Sequence, residues 1–133
     1  MDRHPTYDDV NLILRLYELR REEKLRQARD WYAKNFRPKT MEEYNQLCPP
    51  GSEANAYSRM VIGYWEMAAS FITSGVLNQE LFFQYGGELL LVYERIRHVL
   101  PQLREFMKNP ATFQNLETVG KAFRDEKHMA IFL

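Results

Sequence analysis

Residues 52–75 read SEANAYSRMVIGYWEMAASFITSG, and the spacing of their apolar side chains decides the fold class. Tyr57, Met60, Val61, Tyr64, Ala68, Phe71 and Ile72 recur mostly at intervals of three and four, which puts them on one face of an α-helix. Ser52 supplies an N-terminal cap, and Gly75 a left-handed stop. The opposite face carries Ile62, Gly63, Ala69, Ser70 and Thr73, none of them charged. A helix with no properly charged side belongs in the middle of a bundle.

Working outward, the rest of the chain also reads as helix. Thr6-Tyr7-Asp8-Asp9 and Thr40-Met41-Glu42-Glu43 are capping boxes, a hydroxyl followed three residues later by a carboxylate. The first opens a long N-terminal helix running to about Asn35, which Arg37-Pro38 ends. The second opens a short helix to about Leu47, closed by the loop Cys48-Pro49-Pro50-Gly51. Downstream, Asn78 caps a fourth helix that Gly86-Gly87 bends or breaks and Pro101 kinks or restarts. Asn109-Pro110 opens a last helix to about Phe123. The tail, residues 125–133, ends on an apolar Met129-Ala130-Ile131-Phe132-Leu133 that docks on the bundle or is disordered. No stretch alternates cleanly between apolar and polar, so no sheet is expected. The expected architecture is one all-α domain over residues 1–133. It is an irregular helical bundle of five to six helices with a long N-terminal helix.

The bulk composition bounds the function. In 133 residues, 18 basic and 18 acidic side chains cancel, with 45% apolar residues. That is a globular balance, long enough to fold without a disulfide or metal staple. The single cysteine, Cys48, excludes an internal disulfide and a Cys-based zinc site. No secretory signal is visible, and the most apolar stretch, residues 60–83, is interrupted by Glu66, Asn78, Gln79 and Glu80. A soluble, cytoplasmic protein with no membrane span is expected. The neutral total gives no general pull toward nucleic acid. The charge is uneven, however: residues 15–39 carry nine basic side chains against four acidic.

Motifs for chemistry fail one after another. No phosphate-binding glycine loop, nucleophile elbow or zinc-protease helix occurs. Glu94 and His98 share a helix face, but His4 and His128 stand elsewhere and no second motif completes a two-metal site. No catalytic residue, metal or cofactor is therefore assigned. Glu66 is the one carboxylate in the uncharged face of the central helix. If buried it needs a partner, and Arg97 or Arg104 fits, each projecting beside the core stripe of Leu89, Tyr93, Ile96, Leu100 and Leu103. The three could be a structural ion pair or the polar end of a ligand-binding or enzymatic pocket, since both need the same residues.

Two surfaces remain. In the basic stretch, residues 20–39, Arg20, Arg21, Lys24, Arg26, Arg29, Lys34, Arg37 and Lys39 interleave with Trp31, Tyr32 and Phe36. That mixture could contact phosphates and stack on bases. Yet Glu18, Glu22, Glu23 and Asp30 break the run, and a solvated helix face is the plainer reading. The first helix carries two apolar stripes. Val10, Ile13, Leu14, Tyr17, Ala28, Trp31 and Tyr32 make one; Leu12, Leu16 and Leu19 make the other, nearly opposite. An edge helix buries only one stripe, so the Leu12/Leu16/Leu19 stripe reads as a partner surface, most simply for a second copy of the chain. The leading function is a non-catalytic interaction or scaffold module that forms a homodimer through its N-terminal helix.

Several short features lie between residues 57 and 117. They are Trp65-Glu66-Met67-Ala68, Gly75-Val76-Leu77, Leu81 with Gly86, Leu100-Pro101-Gln102-Leu103-Arg104, and Phe113 followed by Leu116. This pattern resembles a family of small bacterial all-helical domains of unknown function. The resemblance implies an all-helical domain in which Glu66 and Arg104 matter structurally, and it implies no activity. Some members carry an N-terminal membrane helix where this chain has a charged one.

Overall fold

Leu16 and Leu25 are both buried, although nine positions separate them. At about 100° per residue, one straight helix would put them on opposite faces. The chain resolves this by breaking. In the computed structural model, which describes residues 3–132 and their side chains through Glu126, the expected long N-terminal helix is two helices. These are α1 (Tyr7–Arg20) and α2 (Glu23–Asn35). The Arg21 and Glu22 amides donate back to the Glu18 and Leu19 carbonyls at 3.0 and 3.3 Å. The Glu22 carboxylate then accepts from the Leu25 amide at 2.9 Å and caps α2.

Six further helices follow: α3 (Met41–Leu47), α4 (Glu53–Thr73), α5 (Gln79–Phe83), α6 (Gly87–Ile96), α7 (Leu100–Phe106) and α8 (Gln114–Phe132). The total is eight among the described residues rather than five or six, and none of those residues forms a strand. The extra elements come from the break at Arg21–Glu22 and from interruptions at Gly86 and Val99. Thr40, Ser52 and Asn78 cap their helices through side-chain oxygens, as their sequence positions predict. Gly75 takes the left-handed conformation, φ 84°, that ends the turn after α4.

The last helix starts later than Asn109-Pro110 predicts. The Asn109 side chain accepts from the Ala111 amide at 2.9 Å, a local turn that competes with helix. Phe113 then adopts a left-handed φ of 55°, and α8 begins at Gln114. Its backbone continues past Phe123 to Phe132. The side-chain packing of the apolar tail after Glu126, whether docked or not, lies outside the described residues.

The central helix is α4, packed against α2, α6 and α8. It buries Val61, Ile62, Trp65, Ala68 and Ala69, which accounts for its lack of a charged face. The α6–α8 contact is close because Gly120 lies against the Tyr93 ring. Tyr32 stacks on Phe36 at 4.4 Å and donates to the Val92 carbonyl at 2.9 Å, tying α2 to α6. Among the described residues, every buried side-chain polar atom has a partner.

Candidate functional site

With the break in place, the two apolar stripes of the N-terminal region have different fates. Ala28 and Tyr32 are buried by α2, and Leu16 is buried by α1 at 5% exposure. Leu12 packs half-buried on the core, and only Leu19 is exposed. The Leu12/Leu16/Leu19 stripe is thus turned inward and is corrected as a partner surface. The outward apolar face of α1 is Val10, Leu14 and Tyr17 of the other stripe, joined by Tyr7, all exposed, while Ile13 of that stripe packs partly buried on the core. These four fall within about 80° of helical arc.

Beside this face lies a groove of about 350 Å³. Leu14 and Ile13 of α1 form one wall, Leu81 and Phe82 of α5 another, and the exposed Tyr85 the rim. Trp65 and Tyr64 of α4 line the interior. The groove is fixed to the bundle by polar contacts beneath it. The Tyr64 hydroxyl donates to the Leu16 carbonyl. Arg20 lies over the Tyr17 and Trp65 rings, 5.2 and 5.4 Å from their centroids. Arg29 grips Glu88 with two hydrogen bonds of 2.8 and 2.7 Å, and the Trp65 indole donates to the same carboxylate at 3.1 Å. Burial pushes the Glu88 carboxyl up. The Arg29 hydrogen bonds and charge, the indole and Arg20 outweigh it, leaving Glu88 below the usual carboxylate range.

A second polar node holds the start of α1. Asp9 is fully buried. It accepts two bonds from Arg3 at 2.6 and 2.8 Å, one from the Thr6 amide at 2.7 Å and one from the Asn78 amide at 2.9 Å. Arg3 also donates to the Val76 carbonyl at 2.9 Å. The Arg3 hydrogen bonds hold Asp9 well below the usual carboxylate range, against the cost of burial.

The sequence-predicted polar trio does not converge. Glu66 accepts from the Asn115 side chain at 2.7 Å and from the Leu116 amide at 2.8 Å. It therefore caps the first turn of α8, whose free amides and positive dipole end satisfy it without an arginine. Arg104 holds the same turn by other residues, donating to the Thr112 carbonyl at 2.9 Å and to Glu117 at 3.1 Å. Arg97 pairs with Glu94 at 2.9 Å. The expected pairing of Glu66 with Arg97 or Arg104 is corrected accordingly.

The basic stretch is likewise divided. Arg29 is spent on Glu88, Lys34 pairs with Asp30 at 3.0 Å, and the interleaved Tyr32 and Phe36 are buried where no base could stack. Cys48 is buried, and burial pushes its thiol up. Among the described residues no three His, Cys, Asp or Glu side chains gather into a metal site. Sequence reasoning missed Arg29–Glu88 and Arg3–Asp9–Asn78. The first joins residues 59 positions apart and left no local signal. Asp9 and Asn78 were legible only as caps.

Fold and site together define a small all-helical domain, built round one mostly apolar central helix, with an apolar groove beside α1. The chain belongs to the family described as Domain of unknown function (DUF4760), whose family model matches residues 5–123. The match takes in α1 and α2 and thus reaches well beyond residues 57–117. No curated protein and no solved structure matches the chain. Among the described residues no helix is long and apolar enough to cross a membrane.

Proposed function

We propose that this domain is a non-catalytic interaction module of the bacterial cytoplasm, and that it pairs with a second copy of itself through α1. The supporting observation is the outward face of that helix. Tyr7, Val10, Leu14 and Tyr17 are spaced three, four and three, so the pattern reads large–medium–medium–large in both directions. A two-fold interface requires self-complementarity, residue i meeting j while j meets i. An antiparallel crossing centred between Val10 and Leu14 sets Val10 against Leu14 of the other copy, and Tyr7 against Tyr17. The groove and Tyr85 extend the patch beyond one helix stripe. That matters because a stable interface buries about 1,200–2,000 Å² in total.

Sedimentation equilibrium across a wide protein concentration range tests this reading. The wild-type chain is expected to move from monomer to dimer, and Leu14→Arg to remain a folded monomer. A wild-type chain that stays monomeric at the highest concentration, or a Leu14→Arg variant that dimerises as before, defeats the proposal. A ligand or enzymatic role for Glu66 with Arg97 and Arg104 is less well supported, because both Glu66 oxygens are engaged in capping α8. Nucleic-acid binding through residues 20–39 is less well supported because Tyr32 and Phe36 are packed inside and Trp31 is partly buried against the core.

A further inference from the structure

A second cavity, of about 290 Å³, lies away from α1 and is lined by Arg37, Pro38, Lys39, Glu94, Arg95, Arg97 and His98. Arg37 and Lys39 come from the connection between α2 and α3. Pro38 lies between them, and Glu94, Arg95, Arg97 and His98 come from the last turn of α6 and the residues after it. Four permanent cations therefore face one carboxylate, and Arg97 already occupies that carboxylate at 2.9 Å.

The cations are held in place by the fold. Arg95 donates to the Tyr32 and Ala33 carbonyls at 3.1 and 2.6 Å, and Arg37 to the Lys34 carbonyl at 2.7 Å. Carbonyls at a helix C-terminus orient a guanidinium but do not remove its charge. The Lys39 ammonium sits 3.4 Å from Nε2 of His98. An ammonium can only donate, so in a hydrogen bond between the two Nε2 is the acceptor.

We propose that this cavity is a binding site for the phosphate group of a small phosphorylated compound. A dianion there would answer the excess positive charge, and fixed guanidinium groups suit phosphate oxygens. The cavity is larger than phosphate alone requires, which leaves room for the organic part of such a molecule. The electrostatics agree. Burial first, then Lys39 and Arg97, lowers the tendency of His98 to protonate, with Glu94 opposing. Burial and then Arg37 lower that of Arg95. An anion in the cavity would reverse the repulsive part of both effects. This site is independent of the α1 face.

The test is an NMR titration of the 133-residue chain with inorganic phosphate, using sulfate as a non-titrating control and chloride at matched ionic strength. The imidazole signals of His98 are followed, with those of the exposed His4 as reference. The expected result is a saturable response to phosphate and sulfate at His98 only, and a His98 pKa that rises when phosphate is bound. Lys39→Gln and Arg37→Gln, both exposed, are each expected to weaken binding by about tenfold or more while leaving the circular dichroism unchanged. Ribose 5-phosphate is then compared with inorganic phosphate. Tighter sugar-phosphate binding supports a phosphorylated metabolite as occupant. Equal binding supports the anion site and makes its occupant the phosphate ion itself. A response that follows ionic strength alike in chloride, or affinity unchanged in both variants, overturns the proposal. So does a DNA duplex that binds with steep salt dependence and is not displaced by phosphate, because that describes a nucleic-acid surface.

Discussion

Glu66 of α4 closes the first turn of α8 by accepting from the Leu116 amide at 2.8 Å, with its second oxygen on the Asn115 side chain at 2.7 Å. This is a helix cap delivered from a neighbouring helix, so it orders α8 and fixes its height on α4 together. Glu66→Ala removes both acceptors. It is expected to cost about 1–2 kcal/mol in urea unfolding, the range for losing a cap. Glu66→Gln keeps one acceptor for Leu116 and is expected to cost less. Arg97→Gln combined with either change should be additive, since Arg97 pairs with Glu94 instead.

The Arg29–Glu88 and Arg3–Asp9 pairs make the fold acid-sensitive. Both carboxyls titrate lower when folded than their ordinary values of 4.5 and 3.8. The stability they contribute is fully present above those ordinary values and is lost as pH falls through the folded ones. Unfolding free energy should therefore fall steadily below about pH 4.5. Glu88→Gln removes one of the two groups. It should make that fall shallower while lowering stability at pH 7 by about 1–2 kcal/mol, a figure reduced because both partners are about a quarter exposed. An unchanged acid slope in Glu88→Gln would show that Arg29 does not hold Glu88 ionised.

Gly120 predicts an inverted sign. Glycine to alanine inside a helix ordinarily stabilises by up to about 1 kcal/mol. Here an added Cβ would fall 2.5 Å from Cγ and 2.7 Å from Cβ of Tyr93, atoms too near the α6 backbone to swing aside. Gly120→Ala must push α6 and α8 apart, and it is expected to destabilise by about 1–3 kcal/mol. Thermal unfolding of the single variant measures this, and a raised melting temperature would contradict the close α6–α8 packing.

What could be read from the sequence was local. The caps at Thr40, Ser52 and Asn78 act within three residues and were legible. The α4 stripe repeats over several turns and was legible in part, since Met60 of that stripe is exposed and Ile62 and Ala69 of the opposite face are buried. The break after α1 was also written in the sequence, in the half-turn phase slip between Leu16 and Leu25. Two opposite stripes on one imagined helix concealed it. Read as two helices, they need no partner at Leu16 and leave Leu14 outside. The fate of Glu66 was not legible, because a carboxylate in an uncharged face is satisfied as well by amides at a distant helix start as by an arginine. Arg29–Glu88 joins positions 59 apart and depends on how α2 and α6 meet, which no spacing encodes.

The rotation of α1 is the point on which the site depends, and two neighbouring leucines report it. Leu16 is 5% exposed and packed on the core, whereas Leu14 is 55% exposed on the groove rim. Leu16→Ala would leave a cavity beside Tyr64 and Trp65 and is expected to cost about 2–4 kcal/mol. The Tyr64 hydroxyl bond to the Leu16 carbonyl survives the change because it uses backbone. Leu14→Ala removes little buried surface and is expected to cost less than about 1 kcal/mol in dilute monomer. In concentrated samples the order should reverse for association. Leu14→Ala would weaken the dimer, while Leu16→Ala would change it only as far as it unfolds the chain. Urea unfolding at low concentration and sedimentation at high concentration, on the same two variants, separate the two quantities. If Leu14→Ala proved the more destabilising in dilute solution, α1 would be rotated by about half a turn. The outward face would then be Leu12, Leu16 and Leu19 after all.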